Sequence, residues 1–270
     1  MKRNHPVLAT TLLLALACAA PAYAGNNKAP LPADPTEDKL LITAGFLTGH
    51  PDLRYRLLAL EKREQKKFDD AFKFFQRAAF YGDKPSQAMV AEMLWNGTGT
   101  DRDPALAYAW MDLAGERGYE GFVELRERYW ARLDEAERER AIEAGQGIYA
   151  RYGDAAALPR INRALRLERR NMTGSRTGFT GNLRIIVPGP AGPEEIDASK
   201  FYDERYWDPK QYQAWHDAIW MKPRVAKVEV GEVSQVAQPE LGGRIPEVAP
   251  IIDAEEPQTD DEMPTLETRP

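Results

Sequence analysis

The sequence predicts an all-α fold: a short α/α solenoid of two to three helix-pair repeats with a largely irregular C-terminal extension. Three observations carry that prediction. From Thr36 to Arg170 prolines are sparse and apolar residues recur at helical spacing. Within this stretch a pattern of small and aromatic residues returns after 36 residues, from Ala71 to Ala107 and from Ala78 to Ala114. After Asn171 the helical period gives way to turn residues, a β-branched run, an aromatic segment and an acidic, proline-rich end.

The first element is an export signal. Lys2 and Arg3 precede an apolar, uncharged run from Val7 to Ala20, and Ala22-Tyr23-Ala24 offers small residues where a signal peptidase reads. Residues 1–24 are therefore expected to be removed, leaving a chain that begins at Gly25 and works in the periplasm or outside the cell. A retained anchor is the first competing reading, but the apolar run is short for a membrane span. Lipid attachment at Cys18 is the second. There the bulky residue of Ala15-Leu16-Ala17 stands one place too late for the usual lipobox. Residues 25–36, rich in Pro, Asn and Ala, are expected to be a flexible lead-in.

Cys18 is the one cysteine, so the exported chain has no disulfide and must rely on a packed core. The 20 prolines and a mean hydropathy of -0.55 imply that part of the length is not core. A net charge of -6 argues against non-specific binding to nucleic acid.

Residues 37–170 are read as the helical repeat domain. Superimposing Ala71–Gly82 on Ala107–Gly118 aligns Ala78 with Ala114, Gly82 with Gly118, Phe72 with Tyr108 and Phe74 with Trp110. Small residues let two helices close up, aromatics fill the gap to the next pair, and a final glycine suits a helix C-cap. Ala114 is expected at a close helix contact and Glu116 on the outward side. The unit from Ala88 to Gly118, with Gly97-Thr98-Gly99 in its loop, Asp103 after it and Ala114 to Gly118 at its end, resembles the Sel-one-like repeats, relatives of the tetratricopeptide repeats. The partial copy before it lacks the loop glycines. The copy after it keeps Phe122 to Trp130 and then drifts. The resemblance covers about 100 residues, roughly 53 to 152. It implies stacked antiparallel helix pairs and an adaptor or interaction role, with a protein or peptide as partner.

Further helices follow. Ile142, Gly145, Tyr149 and Tyr152 form one helical stripe, and Leu158, Ile161 and Leu165 another. Opposite the second stripe lie Arg160, Arg163, Arg166, Arg169 and Arg170. This basic face suits anionic lipid, cell-wall polymer, nucleic acid or the chain's own acidic tail. In the extension 171–222, Leu183 to Val187 reads as one strand stopped by Pro188-Gly189-Pro190. The aromatic segment Phe201–Trp220 reads either as a cap over the open end of the solenoid or as a groove for a partner. Residues 223–270 read as a disordered acidic tail.

Chemistry is thinly signalled. His50 and His216 stand apart, with no ligand pattern for zinc, and no cofactor motif is present. His50 precedes Pro51 at an expected helix start. His216 lies near Asp203, Glu204 and Asp208, which permits a general base, but no nucleophile or oxyanion motif accompanies it. Gly97-Thr98-Gly99 lacks the lysine of a phosphate loop. Ser175 lacks the Gly-x-Ser-x-Gly frame. The expectation is a non-catalytic exported binder whose partner-binding residues are Arg160, Arg163, Arg166, Arg170, Tyr206, Trp207 and Trp215. A hydrolase built on His216 and a cell-envelope binder built on the basic helix are the alternatives.

Overall fold

The computed structural model describes residues 34–173, 184–189, 192–221 and 242–258. The signal segment, most of the lead-in and the turn around Ser175 lie outside the described residues, as do 222–241 and 259–270. Asp34 caps a 3-10 turn (Pro35–Glu37), and Asp38 caps α1 (Lys39–Thr43). A second 3-10 turn (Phe46–Thr48) leads into α2 (Pro51–Glu64). Then come α3 (Phe68–Phe80), α4 (Lys84–Asn96), α5 (Pro104–Ala114), α6 (Glu120–Trp130), α7 (Glu135–Tyr152) and α8 (Asp154–Thr173).

The boundaries follow local chemistry. Asp83, Asp103 and Asp134 accept backbone N–H groups at the starts of α4, α5 and α7. Pro51 and Pro104 occupy first-turn positions, where a missing N–H removes no helical bond. Gly82 and Gly118, which the repeat superimposes, both take left-handed φ angles, 83° and 71°. Only glycine adopts that conformation freely.

Short loops make successive helices antiparallel. α2 packs on α3, α3 on α4 and α4 on α5, while α6 and α7 also pack on α5. Ala71, Ala78, Ala107 and Ala114 are all fully buried, so small residues stand inside the helical array. α8 turns back along α7 and reaches α2. The fold is all-α with an irregular C-terminal region, and no described helix is long and apolar enough to cross a membrane.

Two expectations change, and one gains a qualification. Glu116 is exposed, as the outward side requires, yet its carboxylate is engaged. Its carboxylate accepts a bond from Nζ of the buried Lys84 at 2.5 Å and from the backbone N–H of Asp154 at 3.0 Å. The expected single strand is a hairpin: β1 (Arg184–Gly189) pairs with β2 (Gly192–Asp197), placing Ile185 opposite Ile196. β2 carries Pro193, Glu194 and Glu195, poor strand formers, and Val187 and Ile196 join a buried cluster. Packing, rather than propensity, selects the second strand. Finally, the end of the chain is irregular but not wholly free: residues 242–258, without helix or strand, lie against the helices.

After the hairpin come α9 (Ala198–Phe201), α10 (Glu204–Trp207) and α11 (Pro209–Trp220). Phe201, Tyr206, Trp207, Tyr212 and Trp215 pack with Leu41, Phe46, Leu47 and Leu53 from the N-terminal end and Ile161 and Leu165 of α8. This second core is separate from the one shared by α2 to α7. It welds the extension to the α2 end of the array.

Candidate functional site

The site is a seat for a chain segment, built from α3, α5, α6, α7 and α8. Its first part is a polar socket. Asp112 interrupts the apolar run of α5 and is fully buried. Tyr149 of α7 donates to its Oδ2 at 3.0 Å, and Arg126 of α6 stands 3.6 Å from its Oδ1. Burial raises the pKa of Asp112, with Tyr149 and Arg126 opposing that rise. Arg126 also pairs with Glu127 at 2.8 Å.

Arg244 of the C-terminal segment enters this socket. Its guanidinium donates to both carboxylate oxygens of Glu127, at 2.9 and 2.6 Å, and lies 4.8 Å from the ring centroid of Trp130. The backbone of Arg244 likewise opposes the rise in the pKa of Asp112. Beside it, Ile245 is buried in a notch over Gly145 of α7. A Cβ at Gly145 would lie 2.3 Å from Cδ1 of Ile245, so the missing side chain is what makes room.

The segment then crosses α7 toward α8 and α3. The N–H of Ile251 donates to the Ala150 carbonyl at 2.6 Å. Arg160 donates to the carbonyls of Ile251 and Ile252 while its guanidinium sits 3.9 Å from the Phe80 centroid. Arg151 donates to the Glu255 carbonyl. Glu256 closes the run, accepting from Arg77 Nε at 2.7 Å and from the Tyr81 hydroxyl at 2.9 Å. An open cavity of about 450 Å³ borders this end, lined by Arg160, Arg163, Leu167, Ile252 and Glu256 among others.

The expected binding residues divide. Arg160 holds the chain's own C-terminal segment, one of the partners the basic face suits, and it does so through main-chain carbonyls rather than acidic side chains. Arg163 lines the same cavity, and Arg166 and Arg170 are exposed on α8. Tyr206, Trp207 and Trp215 are buried at 5%, 1% and 3% exposure, so their rings are core and not a partner surface. The indole N–H of Trp207 donates to the Phe201 carbonyl at 2.6 Å, and Gly49 leaves space for its ring.

The histidines are buried too. His50 places one ring nitrogen 2.8 Å from the Phe46 carbonyl and the other 2.8 Å from the Tyr206 carbonyl, tying the turn before α2 to α10. Two acceptors suit a doubly protonated ring, while burial pulls its pKa down. His216 faces Asp52 of α2 at 3.6 Å, and Tyr212 donates to that carboxylate at 2.7 Å. The acids near His216 in sequence are engaged elsewhere. Asp203 pairs with Arg205, Glu204 with Arg169, and Asp208 caps α11. Among the described residues, no three His, Cys, Asp or Glu side chains gather closely enough to hold a metal ion.

Sequence reasoning missed Asp112, Glu127 and Arg77, gave Gly145 only as part of a helical stripe, and offered the acidic tail only as one candidate partner of the basic face. Asp112 does leave a signal: it is the one charge in the run from Ala105 to Ala114. Arg244 leaves another, as the lone basic residue between Gly242 and Gln258. No protein-family model, curated protein or solved structure matches the chain.

Proposed function

We propose that this chain is an exported, non-catalytic interaction protein whose helical body binds an extended segment of a protein or peptide partner. The seat of residues 242–258 carries the reading. A surface that holds a chain by its main chain, with Arg151 and Arg160 donating to its carbonyls and the Ala150 carbonyl accepting its N–H, and with a side-chain anchor at each end, has the chemistry of a peptide-binding face. The likeness to Sel-one-like repeats supports the same role, and the spacing of Ala71, Ala78, Ala107 and Ala114 supports the likeness. Export is read from the segment 1–24. The hydrolase alternative is weaker, because the buried His216 and Asp52 line a cavity of only about 10 Å³, room for about one water and not for a substrate.

Leu167, 46% exposed beside the open cavity, is the place to test this. A photo-reactive residue there, activated in the native host, should give reproducible crosslinks to a peptide of one partner protein. Crosslinks confined to the chain itself would overturn the reading. A hydrolytic activity lost in folded His216→Ala protein would replace it with the enzyme alternative.

A further inference from the structure

The docked segment is anchored by side chains at its two ends and by main-chain hydrogen bonds between them. At one end Gly243 lies so near Asp112 that a Cβ would stand 2.7 Å from Oδ2, Arg244 grips Glu127, and Ile245 fills the notch over Gly145. At the other end Glu256 meets Arg77 and Tyr81. In between, Ile251 and Ile252 remain 51% and 49% exposed.

Without the segment the socket sets one guanidinium against two carboxyl groups, so it suits a cationic side chain from whatever chain occupies it. Arg126, 1% exposed, pairs with both Asp112 and Glu127. The connection to the body is long for the distance it covers. Trp220 stacks on Phe122 of α6, and the same helix carries Glu127 and Trp130. Phe122 and Trp130 are about 12 Å apart along the helix axis. The residues numbered 222–241 can reach about 66 Å when extended.

We infer that residues 242–258 are a built-in ligand occupying the site that a partner's peptide takes. The partner is an extended chain bearing Gly-Arg followed by a branched aliphatic residue, with an acidic residue about twelve positions further on. This rests on the peptide-binding reading above and adds the ligand's chemistry and its control. Tethering gives the built-in segment an effective concentration on the order of millimolar. A free peptide with the same contacts therefore meets an occupied seat, and its apparent Kd in the intact chain is about millimolar.

The test uses the full chain and a fluorescein-labelled synthetic peptide of residues 242–258. The double variant Arg244→Ala/Ile245→Ala should lose amide-exchange protection at Ile251 and bind the probe at least tenfold more tightly than the wild type. Adding Gly145→Ala, which fills the notch while favouring the helix, should weaken binding at least tenfold again. A probe with glutamate at its arginine position should bind at least tenfold less. Equal affinity of wild type and double variant, indifference to Gly145→Ala, or indifference to the charge reversal would each overturn the inference. So would a wild-type dimer that the double variant converts to monomer, since that gives the seat to a second copy's tail. If the double variant, still helical by circular dichroism, takes unrelated extended peptides but not this probe, the peptide-binding function stands and the inference falls.

Discussion

Asp154 opens α8 at a point where three elements meet. Arg117 donates to it at 2.7 and 2.9 Å, and Nζ of Lys84, itself 1% exposed, stands 3.1 Å away. Burial alone would raise the carboxyl; the ammonium of Lys84 and the guanidinium of Arg117 outweigh it and hold the pKa at about 2. The unfolded value is about 3.9. Because the folded pKa is the lower one, this contribution is fully present above about pH 4 and is lost as pH falls through about 2. It amounts to roughly 2 kcal/mol. Urea unfolding from pH 5 to pH 2 should show Asp154→Asn destabilised at pH 5, with the gap to wild type narrowing by that amount at the acid end. A constant gap would mean that Lys84 and Arg117 do not hold the Asp154 carboxyl below its ordinary value. None of this was legible in the sequence. Lys84, Arg117 and Asp154 are far apart in the chain, and each alone looks like a surface charge. His50 hid in the same way: a histidine before a proline reads as a helix start, and nothing local indicates the Tyr206 carbonyl that accepts its second bond.

At the scale of elements, the helices were legible and their long-range partners were not. The return of small residues from Ala71 and Ala78 to Ala107 and Ala114 marks buried helix positions because backbone proximity limits side-chain size locally. Ala114 is fully buried, so Ala114→Leu should overpack the contact and cost about 1–3 kcal/mol. Glu116 is no neutral control, since it serves Lys84 and the N-terminus of α8. Glu124 on α6 is one: its pairing with Arg128 is exposed on both sides. Glu124→Gln should shift stability by at most about 0.5 kcal/mol. Equal urea midpoints for Ala114→Leu and Glu124→Gln would remove Ala114 from a close contact and weaken the repeat reading with it. The hairpin shows the opposite limit. β1 has a run of branched residues, whereas β2 is legible only through Ile196, because its pairing and burial come from the rest of the fold. The aromatic density of 201–220 was plain, but density alone does not distinguish a core from a binding face. That choice was made by Phe46, Leu53 and Leu165, more than thirty residues away in every case.

For the whole molecule, the question is whether residues 242–258 belong to the cooperative fold or open separately. Composition pointed to disorder because the segment is acidic, proline-rich and aperiodic. Those properties preclude a core of its own, but not docking on someone else's. What docks it is uneven. Ile245 is buried, Arg244 and Glu127 are partly exposed at 19% and 17%, and most of the rest faces solvent. Segments with few buried apolar contacts open at lower free energy than the core that carries them. α5, by contrast, is buried along nearly its whole length, Tyr108 and Leu113 completely. Native-state hydrogen exchange should therefore find the Ile251 amide, bonded to the Ala150 carbonyl, released by an opening of about 1–4 kcal/mol that depends little on denaturant. The interior amides of α5 should exchange only with global unfolding and with its full denaturant slope. Arg244→Ala should lower the Ile251 opening energy and leave the α5 amides nearly unchanged. If Ile251 instead exchanged with the slope and energy of α5, the C-terminal segment would be an integral strap of the fold. A partner could then reach the seat only by unfolding the protein, and the helical face would not serve as a reversible binding surface.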